Sequence, residues 1–138
     1  MNLYSLVKSD NLLAFDTETT GLNPWGSFKQ LGFEPARPFA FSFCNSEGEK
    51  VYFHWRVDPF TRRVLFILRD IKIICNVLEN PKIIKIGHNI GYDIRMAELL
   101  GIKVQGEIRD TLFMAHIFTG GSLLKYGLKE LGVQFANY

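Results

Sequence analysis

The sequence predicts a single α/β domain, residues 1–138, with a central mixed sheet of about five strands flanked by helices. Three observations predict it. The apolar run Asn11-Leu12-Leu13-Ala14-Phe15 stops on a charge at Asp16, as a buried strand does when its end opens on a site. Pro38 to Cys44 alternates Phe with small residues, Asn45-Ser46-Glu47-Gly48 supplies turn chemistry, and Lys50 to Trp55 runs back, which is a β-hairpin. Beyond it the apolar period lengthens and strand-like and helix-like stretches alternate. A hairpin beside βα units requires a sheet of mixed direction with helices on its faces.

The elements follow in order. Residues 19–37 hold Gly21, Asn23, Pro24, Gly26, Gly32 and Pro35, a loop-like composition. Between Pro59 and Glu79, Val64, Leu65, Leu68, Ile71, Cys75 and Leu78 recur at steps of three and four, predicting an amphipathic helix of about five turns that Asn80-Pro81 stops. Lys82 to Ile86 reads as a buried strand, Gly87 as a tight turn, and Asn89 to Leu100 as a helix ended by Gly101. A short strand is expected within 103–108. Asp110-Thr111 then offers an N-terminal cap for a helix through Phe118, Gly120-Gly121-Ser122 breaks the chain, and Leu123 to Leu131 forms a last short helix.

Composition bounds the function. With 47% hydrophobic and 14% aromatic residues, 138 residues suffice for a packed core and are far from a disordered composition. The net charge of +2 and a sequence pI of about 8.6 are compatible with nucleic acid without announcing it. Affinity for such a partner must come from local groups and bound metal. Cys44 and Cys75 lie in apolar stretches and form no Cys-x-x-Cys pair, so they read as reduced core thiols. No leader and no run of about 18 apolar residues is present, so a cytoplasmic protein with no membrane partner is expected.

Chemistry concentrates in two places. In Phe15-Asp16-Thr17-Glu18-Thr19-Thr20-Gly21-Leu22, Asp16 and Glu18 are two apart on a strand end and point to the same side. Two like charges there repel unless a cation neutralises them, and carboxylate oxygens are what Mg²⁺ and Mn²⁺ prefer. A solvated strand end is the plain alternative. In Ile86-Gly87-His88-Asn89-Ile90-Gly91-Tyr92-Asp93, Asn89 and Asp93 share one helix face, and Met96 and Leu100 carry that stripe toward the core. Here Asn89 acting as a helix cap, with Asp93 favouring the helix's positive end, is the alternative. Three carboxylates converging from a strand end and a helix start would suit divalent ions.

These two motifs, in this order, resemble the first and second motifs of the DEDD 3′→5′ exonucleases. Arg109 to Ala115 and Leu123 to Gly132 resemble in particular the proofreading domain of family A, polymerase I-type DNA polymerases. The resemblance covers roughly residues 11–132 and implies a ribonuclease H-like fold. It implies that Asp16, Glu18 and Asp93 bind two catalytic metals, Mg²⁺ or Mn²⁺. It implies that Thr19, Leu22, Asn89 and Tyr92 contact a single-stranded DNA 3′ end, with Leu22 as an apolar wedge. The chemistry is phosphodiester hydrolysis, in which two ions activate water and stabilise the leaving oxygen. The family's third motif, Tyr-x-x-x-Asp, does not follow Asp93. The nearest stretch is Tyr126-Gly127-Leu128-Lys129-Glu130, with Glu in place of Asp. The chain therefore resembles the family's domain without its C-terminal part, and weak or absent activity is expected of it alone. That missing part, or a polymerase domain, is the expected protein partner. A non-catalytic DNA-binding module of the same fold is the second reading.

Overall fold

A computed structural model describes residues 2–23 and 35–137 of the chain. Most of the loop expected over 19–37, residues 24–34, lies outside the described residues, as do Met1 and Tyr138. The elements are α1 (Leu3–Leu6), β1 (Leu12–Thr19), β2 (Pro38–Asn45), β3 (Lys50–His54), α2 (Leu68–Leu78), β4 (Ile84–Gly87), α3 (Gly91–Glu98), β5 (Ile108–Asp110), α4 (Thr111–Thr119) and α5 (Leu128–Phe135). The strands form one five-stranded sheet in the order β3-β2-β1-β4-β5. β1–β2 and β2–β3 pair antiparallel, while β1–β4 and β4–β5 pair parallel, so the sheet is mixed as expected.

Alternation along β1 decides which side chains are buried. Leu13, Phe15 and Thr17 point into protein, whereas Asp16 and Glu18 are exposed on the other face. Phe15 stacks on Phe43 at 6.2 Å between centroids, Phe43 on Phe41 at 6.2 Å, and Trp55 meets Phe41 edge-on at 6.1 Å. Leu3, Leu6, Ile74, Val77, Leu78 and Ala97 close this core from the helices. Burying these large rings supplies most of the hydrophobic driving force, at about 1.5–3 kcal/mol per large side chain.

Several element bounds differ from the sequence expectation, each for a local reason. The helix expected over 59–79 begins only at Leu68. Before it, the Asp58 carboxylate accepts from the amides of Phe60 (2.9 Å) and Thr61 (2.7 Å), a side-chain turn that competes with helix. Val57 and Val64 bridge as strand residues, and Val64 and Phe66 face the core by alternation while Leu65 and Ile67 face out. A period of two there passed for part of a helical stripe. The helix expected to begin at Asn89 begins at Gly91, because Asn89 has a left-handed backbone with φ 56°. Helix α5 starts at Leu128, not Leu123, since the Tyr126 hydroxyl, which accepts from the Leu123 amide (3.1 Å) and lies 2.7 Å from Thr119 Oγ1, holds the preceding loop. The short helix α1 was not anticipated. Cys44 and Cys75 are free but half-buried instead of fully buried.

The strand expected within 103–108 lies instead at Ile108–Asp110, after the junction ahead of β5. Lys85, fully buried in β4, donates to the carbonyls of Asn80 and Gln105, which ties the chain on both sides of β4. Gly106 has φ +90°, and a Cβ there would stand 2.6 Å from the Pro81 carbonyl oxygen. Gly106→Ala combines a left-handed backbone with a clash against main chain, so a loss of about 2–4 kcal/mol is expected in urea denaturation. A loss below about 0.5 kcal/mol would refute this account of the junction.

Candidate active site

The two motifs meet where β1 ends. β1 carries an irregularity between Glu18 and Thr19, where its register against β2 shifts, a feature that re-aims side chains next to sites. Helix α3 packs on β1. Asp93, 4% exposed, directs Oδ1 at Thr17, accepting from its amide (2.9 Å) and its hydroxyl (2.6 Å). One helical residue earlier, the Tyr92 hydroxyl donates to the Gly21 carbonyl (2.8 Å) and lies 3.0 Å from Thr19 Oγ1, which itself reaches Gly21 O at 2.8 Å. Two hydroxyl protons thus serve three contacts in a triangle closing the end of β1 against α3.

The electrostatics follow from this packing. Burial pushes the Asp93 carboxyl up to about 6, with the nearby Asp16 charge adding to the rise and the Thr17 hydrogen bonds opposing it. Asp16 opens to solvent, yet surrounding protein still desolvates its carboxyl enough to raise its pKa. The structure therefore brings Asp16 and Asp93 within reach of each other's charge, and brings Thr19 and Tyr92 into contact. Glu18 is exposed on the same face as Asp16, as the alternation of β1 requires. Leu22 is 91% exposed, and Asn89 is exposed in the turn before α3. Asn89 neither caps the helix nor shares a helix face with Asp93, because it precedes α3 in a left-handed conformation.

A groove of about 530 Å³ runs from Asp16 across the open face of the sheet, lined among others by Ala14, Ser42, Cys44, Tyr52 and His88. The Tyr126–Glu130 stretch meets this groove through Leu128, while Tyr126 stacks on His116 at 3.5 Å between centroids and Glu130 is exposed in the first turn of α5.

The family model described as 3′-5′ exonuclease, of the DNA polymerase A type, matches residues 2–138. The chain belongs to this family. Among curated proteins, none matches this exonuclease domain in sequence. Solved structures do. NrnC of Brucella melitensis bound to pGG superposes with a TM-score of 0.68 at 21% identity, over 99% of this chain and 57% of that one. Pol1 from M. smegmatis, in complex with DNA primer-template and dNTP, gives 0.71 at 15% identity over 99% and 20%. The EXD2 exonuclease domain soaked in Mg and GMP gives 0.54 at 18% over 99% and 61%. At these identities the likeness establishes the fold, which is ribonuclease H-like. The chain spans little more than half the length of NrnC.

The family implies divalent metal, and the exonuclease domain's own donors can be tested against it. Carboxylate oxygens suit Mg²⁺ and Mn²⁺. An Asp93 carboxyl whose ionisation is opposed by burial and by the Asp16 charge is what a cation would relieve. Among the described residues, however, no three His, Cys, Asp or Glu side chains stand together as a metal-holding group. Asp16 and Glu18 share the outward face of β1, and Asp93 lies close enough to Asp16 to feel its charge.

Two sets of contacts near the candidate site escaped the sequence reading. Arg62, placed there on a helix, sits in the preceding loop with φ 58° and donates from Nη2 to the Thr20 carbonyl (2.8 Å), bringing a cation beside the acidic strand end. Nothing in the sequence signals this. Asp110 caps α4 as expected, accepting from the Leu112 amide (2.9 Å), but also binds the amides of Asn89 (2.9 Å) and Ile90 (3.1 Å). The parallel pairing of β4 and β5, which sets Gly87 opposite Asp110, brings these groups together.

The raised pKa of Asp93 has a signed consequence. The unfolded carboxyl ionises near 3.8 and the folded one near 6, so stability falls as pH rises from about 4 to 6 and then levels. Asp93→Asn keeps the acceptor for Thr17 and removes the charge. In chelator, the variant should be more stable than the parent by about 1–3 kcal/mol at pH 7.5 and unchanged near pH 4, as read by urea denaturation. Equal destabilisation at both pH values would refute the electrostatic account.

Proposed function

We propose that this exonuclease domain holds Mg²⁺ or Mn²⁺ through Asp16, Glu18 and Asp93 and hydrolyses the terminal phosphodiester at single-stranded DNA 3′ ends. The observation that carries the reading is the approach of Asp16 and Asp93. The Asp93 carboxylate is held on the amide and hydroxyl of Thr17, the residue next to Asp16, near enough to feel the Asp16 charge at the end of β1. Bound ions would polarise the phosphate and lower the pKa of an attacking water. The chain's own part is to hold the ion and the end of the strand. Leu22, exposed beside Gly21, is free to slide against the terminal base, and Asn89 offers a polar side chain to the nucleotide. Thr19 and Tyr92, already bonded to each other, would line the sugar-phosphate from the side. A mispaired end unstacks more readily than a paired one, which gives a preference without sequence reading.

The polymerase I-type context belongs to the same reading and rests on the family match. So does a protein partner, either a polymerase domain or a segment supplying the third motif, and a cytoplasmic setting in keeping with two free thiols. Among the described residues, no helix is long and apolar enough to cross a membrane. With one ion well held and a second poorly held, turnover by this chain alone should be slow. A second reading, a DNA-binding module without catalysis, is favoured by the absence of a complete three-group metal cluster among the described residues.

One experiment separates the two. A 5′-labelled single-stranded oligonucleotide is incubated with the protein and Mn²⁺, then with Asp16→Asn. The exonuclease reading expects slow shortening from the 3′ end that drops at least 100-fold in the variant, with DNA binding retained. Binding without any shortening, unchanged in Asp16→Asn, supports the second reading and overturns the first.

A further inference from the structure

We infer that Asp110, with Thr111 beside it, is a positioning residue for the candidate active site, fixing the turn between β4 and α3 and thereby the stance of Asn89 and Asp93. The inference deepens the metal-site reading given above and rests on it.

The geometry begins with register. β4 and β5 are parallel and Gly87 stands opposite Asp110, so the residue that ends β5 faces the turn that leaves β4. Its carboxylate serves two helix starts at once. Oδ1 accepts from the Asn89 amide (2.9 Å) and the Leu112 amide (2.9 Å), and Oδ2 accepts from the Ile90 amide (3.1 Å). Amides at a helix start have no partner within the helix. Those ahead of α3 receive theirs from Asp110, while Ile90, the N-cap of α3, supplies no side-chain cap. Thr111 completes the clamp, donating from Oγ1 to the Gly87 carbonyl (3.1 Å) and lying 3.0 Å from His88 Nδ1. Gly87, His88, Asn89 and Ile90 are thus each held by one of two adjacent residues.

The turn needs holding. Asn89 has φ 56°, the left-handed region, which Asn tolerates better than most residues but which is still less favoured than a helical φ. From it the helix propagates directly: the Tyr92 amide donates to the Asn89 carbonyl (3.2 Å) and the Ile94 amide to the Ile90 carbonyl (2.9 Å). Any change at Asn89 or Ile90 therefore shifts Asp93 against Thr17. Helix capping alone does not account for Asp110, since Ser caps about as well and cannot reach a second turn. The main engagement of Asp110 is with main chain, since three of about four lone-pair sites on the carboxylate accept from amides. Groups that orient ligands from behind typically change metal affinity by 10–100-fold when lost.

Asp110→Ser tests this, since it keeps a cap for α4 and removes the reach to Asn89 and Ile90. Amide hydrogen exchange and Mn²⁺ titration are measured on the same protein, with Asp16→Asn as the metal-site control. The expected result is faster exchange at Asn89 and Ile90, unchanged protection at Leu112, a nearly unchanged Tm, and Mn²⁺ binding weakened about tenfold or more. Asp110→Asn, which retains one acceptor oxygen, should fall between. Retained protection at Asn89 and Ile90, or exchange loss with full Mn²⁺ affinity, overturns the inference while leaving the metal site standing. If the parent protein binds no Mn²⁺, the metal-site reading fails and the inferred positioning of Asp93 for an ion falls with it. The exchange data then tell whether Asp110 still fixes the turn.

Discussion

A carboxylate pressed against the backbone of a central strand is the contact on which this structure turns. Asp93 is nearly fully buried and would ordinarily be costly there, yet the Thr17 amide and hydroxyl both donate to it. That pair of bonds joins two segments 76 residues apart and is what makes one place out of two sequence motifs. The Tyr92–Thr19–Gly21 triangle lies alongside it and depends on the same docking of α3 on β1. A buried acid kept at such a cost is what a functional site looks like when stability and activity pull in opposite directions.

Much of this was legible in the sequence. The hairpin, the mixed sheet and the buried edge position of Asp93 all follow from periodicity, because alternation and helical stripes are set by which face meets the core. The Asp16/Glu18 pair was legible for the same reason. What was not legible arose from local polar competition. The carboxylate of Asp58 closes a turn where the apolar spacing suggests helix, and a left-handed Asn89 delays α3 by two residues. Arg62 reaches Thr20 across a sequence gap of 42, and no pattern announces such a contact. Asp110 was read first of all as a cap; its contacts to the Asn89 and Ile90 amides depend on a strand register that sequence does not display.

The two sides of the sheet are finished unequally. One is closed by α1, α2 and α3 over a ring-rich core, whereas the other leaves a groove beside Asp16. Helices α4 and α5 retain exposed Phe113, Ile117, Phe118, Leu128 and Phe135, and α4 buries none of its residues fully. Apolar surface of this extent usually belongs to an interface.

Strand β1 assigns its residues to separate tasks by parity. Odd positions from 13 to 17 sustain the interior, and even positions 16 and 18 look outward. Substitution at the outward acids leaves the packing of the domain untouched, so under the proposed metal site a lineage can shed its chemistry there while the scaffold persists. Asp93 lacks that freedom, being wired to the inward side through Thr17. Loss of function in descendants of such a domain should therefore be recorded first in the strand, and only later in the helix.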